Sequence, residues 1–315
     1  MSVCWSIISD MDRYIIQGPL TTELALKGSP IRRFFDDRFT PGLKDVQDAY
    51  RAEAGPLLVP GVAREVADAG TIGTATDWML RFLVHPNPTL HLAAHGASLC
   101  GMLPALKDLA FMLGFRDSGT ETFTGPARGS GAEPNLLYRA CWGLALLTEV
   151  YRRGPGIAAI GPLGRLPDAS VRSLLEAAPA AGLEQLAALR GVMESELLPA
   201  LASRQGLWAI GPVFAGSEIM SGDADLIAGG LLTELKTTIK KPSLAVTDLW
   251  QVFGYVFMDY TDEFGITDVA LYSARYGYLA QWNLDVLLSS LAGRPVTAAE
   301  LRAEFRSLLE ACQRQ

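Results

Sequence analysis

Along roughly the first 205 residues, apolar side chains recur every three to four positions between Gly- and Pro-rich breaks, the period of helices that bury one face. Segments 74–84, 136–152 and 182–202 carry this pattern most clearly. The last of them lines up Leu183, Leu186, Leu189, Met193, Leu197, Leu198 and Leu201. Ser29-Pro30 reads as a cap that opens another amphipathic segment, Ile31-Arg32-Arg33-Phe34-Phe35. Segment 96–115 is the most apolar and reads as one buried helix, because Lys107 and Asp108 interrupt it short of the run of about 20 apolar residues that spans a bilayer. Segment 116–134, rich in Gly, Ser, Thr and Pro, reads as a loop.

The rhythm changes near Gly206. Residues 207–214 are strand-like, and two extended runs flank Gly229-Gly230. A helix follows over 244–260, then a hairpin of 267–273 and 278–284 about Tyr276-Gly277, then a closing helix over 297–312. This order predicts an α/β (α+β) fold in which helices flank a mixed β-sheet. The sheet core falls in 206–315 and a mostly helical region in 1–205.

Composition narrows the function. A chain of 315 residues, 49% of them hydrophobic, can bury a sizeable core. A net charge of −7 excludes a protein that coats nucleic acid by bulk positive charge, though not one with a local site. Asp10, Asp12 and Arg13 interrupt the mildly apolar start, so no signal peptide or membrane association is expected. The four cysteines, Cys4, Cys100, Cys141 and Cys312, are scattered without a CxxC, which fits a reducing cytoplasm better than a disulfide framework.

The chemistry gathers around the Gly-Gly pair. A two-residue loop there suits a turn with positive φ and pairs Ala228 with Leu231, Ile227 with Leu232 and Leu226 with Thr233. By extension Asp225 faces Glu234, and Asp223 lies across from Lys236. Paired residues share a face about 5 Å apart, so two carboxylates and an ammonium converge. An arbitrary match of this kind usually marks a solvated strand face. The apolar flanks Leu226-Ile227 and Leu231-Leu232 argue otherwise here, since acids within buried strands need a partner. Oxygen ligands of this type suit Mg²⁺ or Mn²⁺. On the following helix Gln251 and Tyr255 stand four residues apart, on one face, where they could hold a phosphate or order a water.

Gly222-Asp-Ala-Asp225, Glu234-Leu-Lys236-Thr237 and Gln251-Val-Phe-Gly-Tyr255 together resemble the PD-(D/E)XK nuclease superfamily, in particular its RecB-like branch with a QxxxY element. The resemblance covers roughly residues 206–290, and Ala224 stands where the motif's name has proline. It implies a restriction-endonuclease-like core and metal-dependent hydrolysis of phosphodiester bonds. Asp225, Glu234 and the backbone carbonyl of Leu235 would hold Mg²⁺ (or Mn²⁺). Lys236 would position or activate the water and stabilise developing charge, and Gln251 and Tyr255 would organise the substrate phosphate. Gly73-Thr-Ala-Thr-Asp77-Trp78 is faintly similar to the helix start on which such enzymes often carry a metal-binding histidine, which makes Asp77 an added candidate ligand and Glu149 a weaker one.

The resemblance further implies nucleic acid, DNA foremost, as partner. A host-defence or restriction-like role would suit it, with a second copy of the chain or a partner defence protein beside it. The alternative is a catalytically inactive nucleic-acid-binding or assembly module of the same fold. Arg32, Arg33, Arg38, Lys240 and Lys241 are weak candidates for phosphate contacts. His85, His91 and His95 crowd one stretch, and the last two share a helical face, but ordinary surface or capping roles outweigh a zinc site without HExxH. Segment 125–131 is glycine-rich but lacks the Lys-Ser/Thr ending of a phosphate-binding loop, and no Gly-x-Ser-x-Gly elbow occurs.

Overall fold

The computed structural model describes residues 14–115, 119–125, 129–240 and 244–313. Cys4, Lys241, the Pro242-Ser243 helix start and part of the 125–131 loop lie outside them. The principal helices before the sheet are α1 (Leu20–Ala25), α2 (Pro30–Phe39), α3 (Leu43–Glu53), α4 (Ala69–Val84), α5 (His91–Leu99) and α6 (Leu103–Met112), then α7 (Pro134–Arg153), α8 (Val171–Glu176) and α9 (Ala180–Val192). The strands are β1 (Thr122–Thr124), β2 (Leu207–Ile210), β3 (Leu226–Ala228), β4 (Leu231–Lys236), β5 (Asp268–Ser273) and β6 (Tyr278–Asn283). Three more helices are α10 (Val246–Met258), α11 (Leu284–Ala292) and α12 (Ala298–Gln313).

The six strands form one mixed sheet in chain order, with β4 and β5 parallel and every other neighbouring pair antiparallel. Helix α10 makes the crossover that a parallel pair requires. Side chains alternate across the sheet with period two. Trp208, Ile210, Leu226, Ala228, Leu231 and Tyr272 pack with α4, α7 and α9 on one face. Ala209, Ile227, Leu232, Val269 and Leu271 pack with α1, α2, α10, α11 and α12 on the other. The result is a helix–sheet–helix sandwich, an α/β fold with a mixed sheet as the pattern predicts.

The two regions read from the sequence share this sandwich. Strand β1 comes from the first 205 residues, and α2 supplies much of the second core. Phe35 stacks on Trp250 at 5.8 Å and 15° and on Phe257 at 6.0 Å and 11°. Phe39 packs against Phe253 with ring centroids 5.4 Å apart. Ser29 does cap α2, its hydroxyl accepting from the Ile31 N–H at 3.1 Å.

Three expectations are corrected. Segment 96–115 is not one helix: α5 and α6 are separate, broken at Cys100–Met102 where Gly101 adopts φ 74°. The second half also exposes Phe111 by 81%. Segment 116–134 is not all loop, because residues 122–124 pair with β2 as an edge strand too short to leave a periodic signal. The strand expected over 207–214 ends at Ile210, and the helical run over 182–202 passes through a π-helical turn at Met193–Leu197. No helix among the described residues is long and apolar enough to cross a membrane.

Because aromatic rings from α2 fill the space over α10, Phe35→Ala is expected to destabilise the whole chain by about 3–5 kcal/mol. Denaturant unfolding followed by tryptophan fluorescence and far-UV circular dichroism measures this. A cost under about 1 kcal/mol would mean that the helical region packs on the sheet only superficially.

Candidate active site

The turn at Gly229-Gly230 sets the geometry. Both glycines have positive φ, 51° and 79°, the requirement of a type I′ hairpin. The ladder then pairs Ala228 with Leu231, Ile227 with Leu232 and Leu226 with Thr233, the register read from the sequence. Asp225 and Glu234 are the next pair outward, on the face that also carries Ile227 and Leu232. Here the strands part. The Asp225 carbonyl accepts from the Gly211 N–H, while its carboxylate Oδ2 takes the Leu235 N–H at 2.7 Å. In an extended strand the N–H and C=O of one residue point the same way, so the Leu235 carbonyl also turns toward Asp225.

Beyond this point one expectation fails. Asp223 does not pair with Lys236; it bridges Val213 on the other side, because β3 bends toward β2 once the Asp225 side chain replaces the backbone ladder. Lys236 finds other partners. Its ammonium lies 3.0 Å from Glu234 Oε1, 2.8 Å from Gln251 Oε1 and 3.6 Å from Asp248 Oδ1. Gln251 Nε2 donates both to Glu234 Oε1 at 2.8 Å and to the Tyr255 hydroxyl at 2.7 Å. Asp225, Glu234, Lys236, Gln251 and Tyr255 are thus brought to one place. Asp248 was missed, although its spacing to Gln251 and Tyr255, three and seven residues, lies on the same helical face and would have found it.

Electrostatics mark the cluster. Burial first, then the charges of Glu234 and Asp77, pushes the Asp225 carboxyl well above its ordinary range. Burial also raises Glu234, against the pull of Lys236. For Lys236, burial opposes the charge, but Glu234 and Asp248 outweigh it and hold the ammonium above its usual value. Burial and Glu234 likewise raise the Tyr255 phenol. Glu234 Oε2 is buried and has no hydrogen-bond partner among the described residues. A buried carboxylate oxygen without a donor is costly, and a cation is the usual remedy.

Asp225, Glu234, Gln251 and Tyr255 open into a cleft of about 1100 Å³ lined also by Gly73, Asp77, Glu218, Asp223, His91, Tyr151 and Arg152, while Lys236 stands behind Glu234 and is not itself among the lining residues. Asp77 reaches it from α4, ion-paired to the buried Arg81 at 3.0 Å. Glu149 does not: it pairs with Arg153 at 2.5 Å and lines a separate small hollow. Nor do the candidate phosphate contacts that fall within the described residues line the cleft. Arg32 binds Asp36 through Nε at 2.8 Å, and Arg38 binds Glu304 at 2.8 Å, each serving the packing of α2. Arg33 and Lys240 are not among the lining residues either. His91 and His95 share α5 but part company, His91 toward Glu121 at 3.3 Å and His95 against the Tyr151 ring.

Among the described residues no group of three or more His, Cys, Asp and Glu side chains is placed to hold a metal ion by itself. The donor set that fits a hard cation is smaller: the Asp225 and Glu234 carboxylates, with the Leu235 carbonyl beside them. Mg²⁺ accepts that kind of site, since it keeps several waters and commonly uses one or two carboxylates plus substrate phosphate. No protein-family model, curated protein or solved structure matches the chain.

Raised carboxyl values have a consequence for stability. In the folded chain each acid holds its proton more tightly than in the unfolded chain. That stabilisation is complete below the unfolded carboxylate range and is lost as pH rises through the raised folded values. Asp225→Asn removes the loss. Without divalent ions, its Tm is expected to exceed the wild-type value near pH 8, with the gap closing toward about pH 4. A gap that does not change across a scanning-fluorimetry pH series would count against the buried pair as its source.

Proposed function

We propose that the chain is a metal-dependent nuclease that hydrolyses phosphodiester bonds of DNA, with a restriction-endonuclease-like core and Mg²⁺ or Mn²⁺ as its cofactor. One observation carries this reading: Glu234 faces Asp225 across a hairpin, shares one carboxylate oxygen with Lys236 and Gln251, and keeps the other free of hydrogen bonds among the described residues. A solvated strand face has no use for such an arrangement, because every one of these groups would rather be in water.

In this reading Asp225, Glu234 and the Leu235 carbonyl hold the ion. When bound, it supplies positive charge to the scissile phosphate and acidifies a water molecule. Lys236 acts as a fixed ammonium. Held by Glu234 and Gln251, it orients water and offsets charge that develops on the phosphate. Gln251 sets the position of that ammonium and of Glu234 together. Tyr255, buried and held in its neutral form, donates or accepts a hydrogen bond and does not supply charge. Asp248 is a positioning residue that steadies Lys236 from the helix side.

A second reading, a nucleic-acid-binding or assembly module that keeps the fold without cutting, draws on the lack of a ready-made cage of three side chains among the described residues. Incubation of plasmid and single-stranded DNA with Mg²⁺, Mn²⁺ or EDTA separates the two. Cleavage is expected with either metal and none with EDTA. Glu234→Ala and Asp225→Ala should abolish it, and Lys236→Ala should slow it by about 10²–10³-fold. Full activity in purified Glu234→Ala sinks the assignment. Absence of cleavage by the folded protein on every substrate favours the second reading.

A further inference from the structure

The floor of the cleft is acidic, but its outer wall is not. That wall is built where α5 and α7 cross. Gly96 lies so close to α7 that a Cβ there would sit 1.8 Å from the Leu147 carbonyl oxygen, so only glycine permits the approach. The tight crossing brings His95, the neighbour of Gly96, against Tyr151, one turn beyond Leu147. Their rings stand nearly perpendicular, 70°, with centroids 5.6 Å apart. Tyr151 lines the cleft yet is 44% exposed, an aromatic surface that the core does not use. Its neighbour Arg152 is exposed and, among the described residues lining the cleft, is the one Lys or Arg. No hydrogen bond or ion pair engages it among the described residues, whereas Arg153 beside it is committed to Glu149.

We propose that Tyr151, steadied by His95 and flanked by Arg152, is a stacking platform for an unpaired nucleobase, so that the cleft takes single-stranded DNA. The proposal rests on the nuclease reading of the Asp225–Glu234 site and names its substrate class. An aromatic ring held rigid by an edge contact stacks a base without reading its identity, and a free guanidinium beside it suits the adjoining phosphate. Bases in a duplex are already stacked on one another and offer no face to such a ring. The cleft is also small for a duplex. Its volume of about 1100 Å³ lies just above the range for small-molecule sites, about 300–1,000 Å³. It has no row of basic side chains among its described lining residues along which two phosphate backbones could lie.

Fluorescence anisotropy of the full chain, with Ca²⁺ in place of Mg²⁺, tests this with three labelled probes: a thymidine oligonucleotide, the same backbone made of abasic sites, and a blunt duplex. The thymidine strand is expected to bind about tenfold more tightly than the abasic strand. Tyr151→Ala should bring that ratio close to one while leaving abasic binding and Tm unchanged, and Tyr151→Phe should preserve it. Equal binding of thymidine and abasic strands by the wild type overturns the platform and leaves the nuclease reading standing. So does an equal loss on both strands in Tyr151→Ala, or a duplex that binds more tightly than the strand. Failure to bind any of the three probes overturns the nuclease reading and the platform together.

Discussion

Two carboxylates that repel one another are fixed face to face by a turn that allows no other register. This constraint organises the rest of the site. With both glycines at positive φ, the hairpin cannot slip by a residue without sending Leu232 and Ile227 to the wrong side of the sheet. Asp225 and Glu234 are therefore held together by apolar packing several residues away, not by any attraction of their own. Their neighbours then answer the repulsion piece by piece. Lys236 and Gln251 take one oxygen of Glu234, and the Leu235 N–H takes one oxygen of Asp225.

That arrangement explains which parts were legible in the sequence. The hairpin register follows from two glycines and period-two alternation, both local properties, and so does the shared face of Gln251 and Tyr255. The helix α10 and the hairpin of β5 and β6 were legible for the same reason. Strand β1 was not, because three residues at a sheet edge bury almost nothing and owe their conformation to β2, more than 80 residues later. The split of 96–115 into two helices was hidden because apolar content alone does not reveal a break, and the glycine at 101 was one among many.

The candidate residues that failed share a different cause. Arg32, Arg38 and Glu149 were candidates by residue type alone, and their partners come from tertiary placement. Arg38 meets Glu304, at the far end of the chain. Long, flexible charged side chains are satisfied by whatever acid packing brings near, so charge type without a neighbour says little about role. Asp248 shows the converse: an acid that belongs to none of the three motif elements completes the cradle of Lys236.

Charge in the cleft remains unbalanced after these pairings. Asp77 is matched by Arg81, whose guanidinium is buried to within 1% and also feels Asp223 and Asp225. Lys236 serves Glu234 and Asp248 at once. Among the described residues Asp223 and Asp225 have no ion pair of their own, in a half-buried place where solvent screens them poorly. A folded chain can relieve such an excess by holding protons or by binding a cation. The first is what the raised Asp225 and Glu234 carboxyls express. The second would discharge the same strain near neutral pH without giving up the charges, and it would turn an acidic floor from a barrier to phosphate into a seat for it. On the nuclease reading, the aromatic and basic wall formed by α5 and α7 is the complementary half: one side of the cleft would receive phosphate only through a cation, and the other would receive what the phosphate carries.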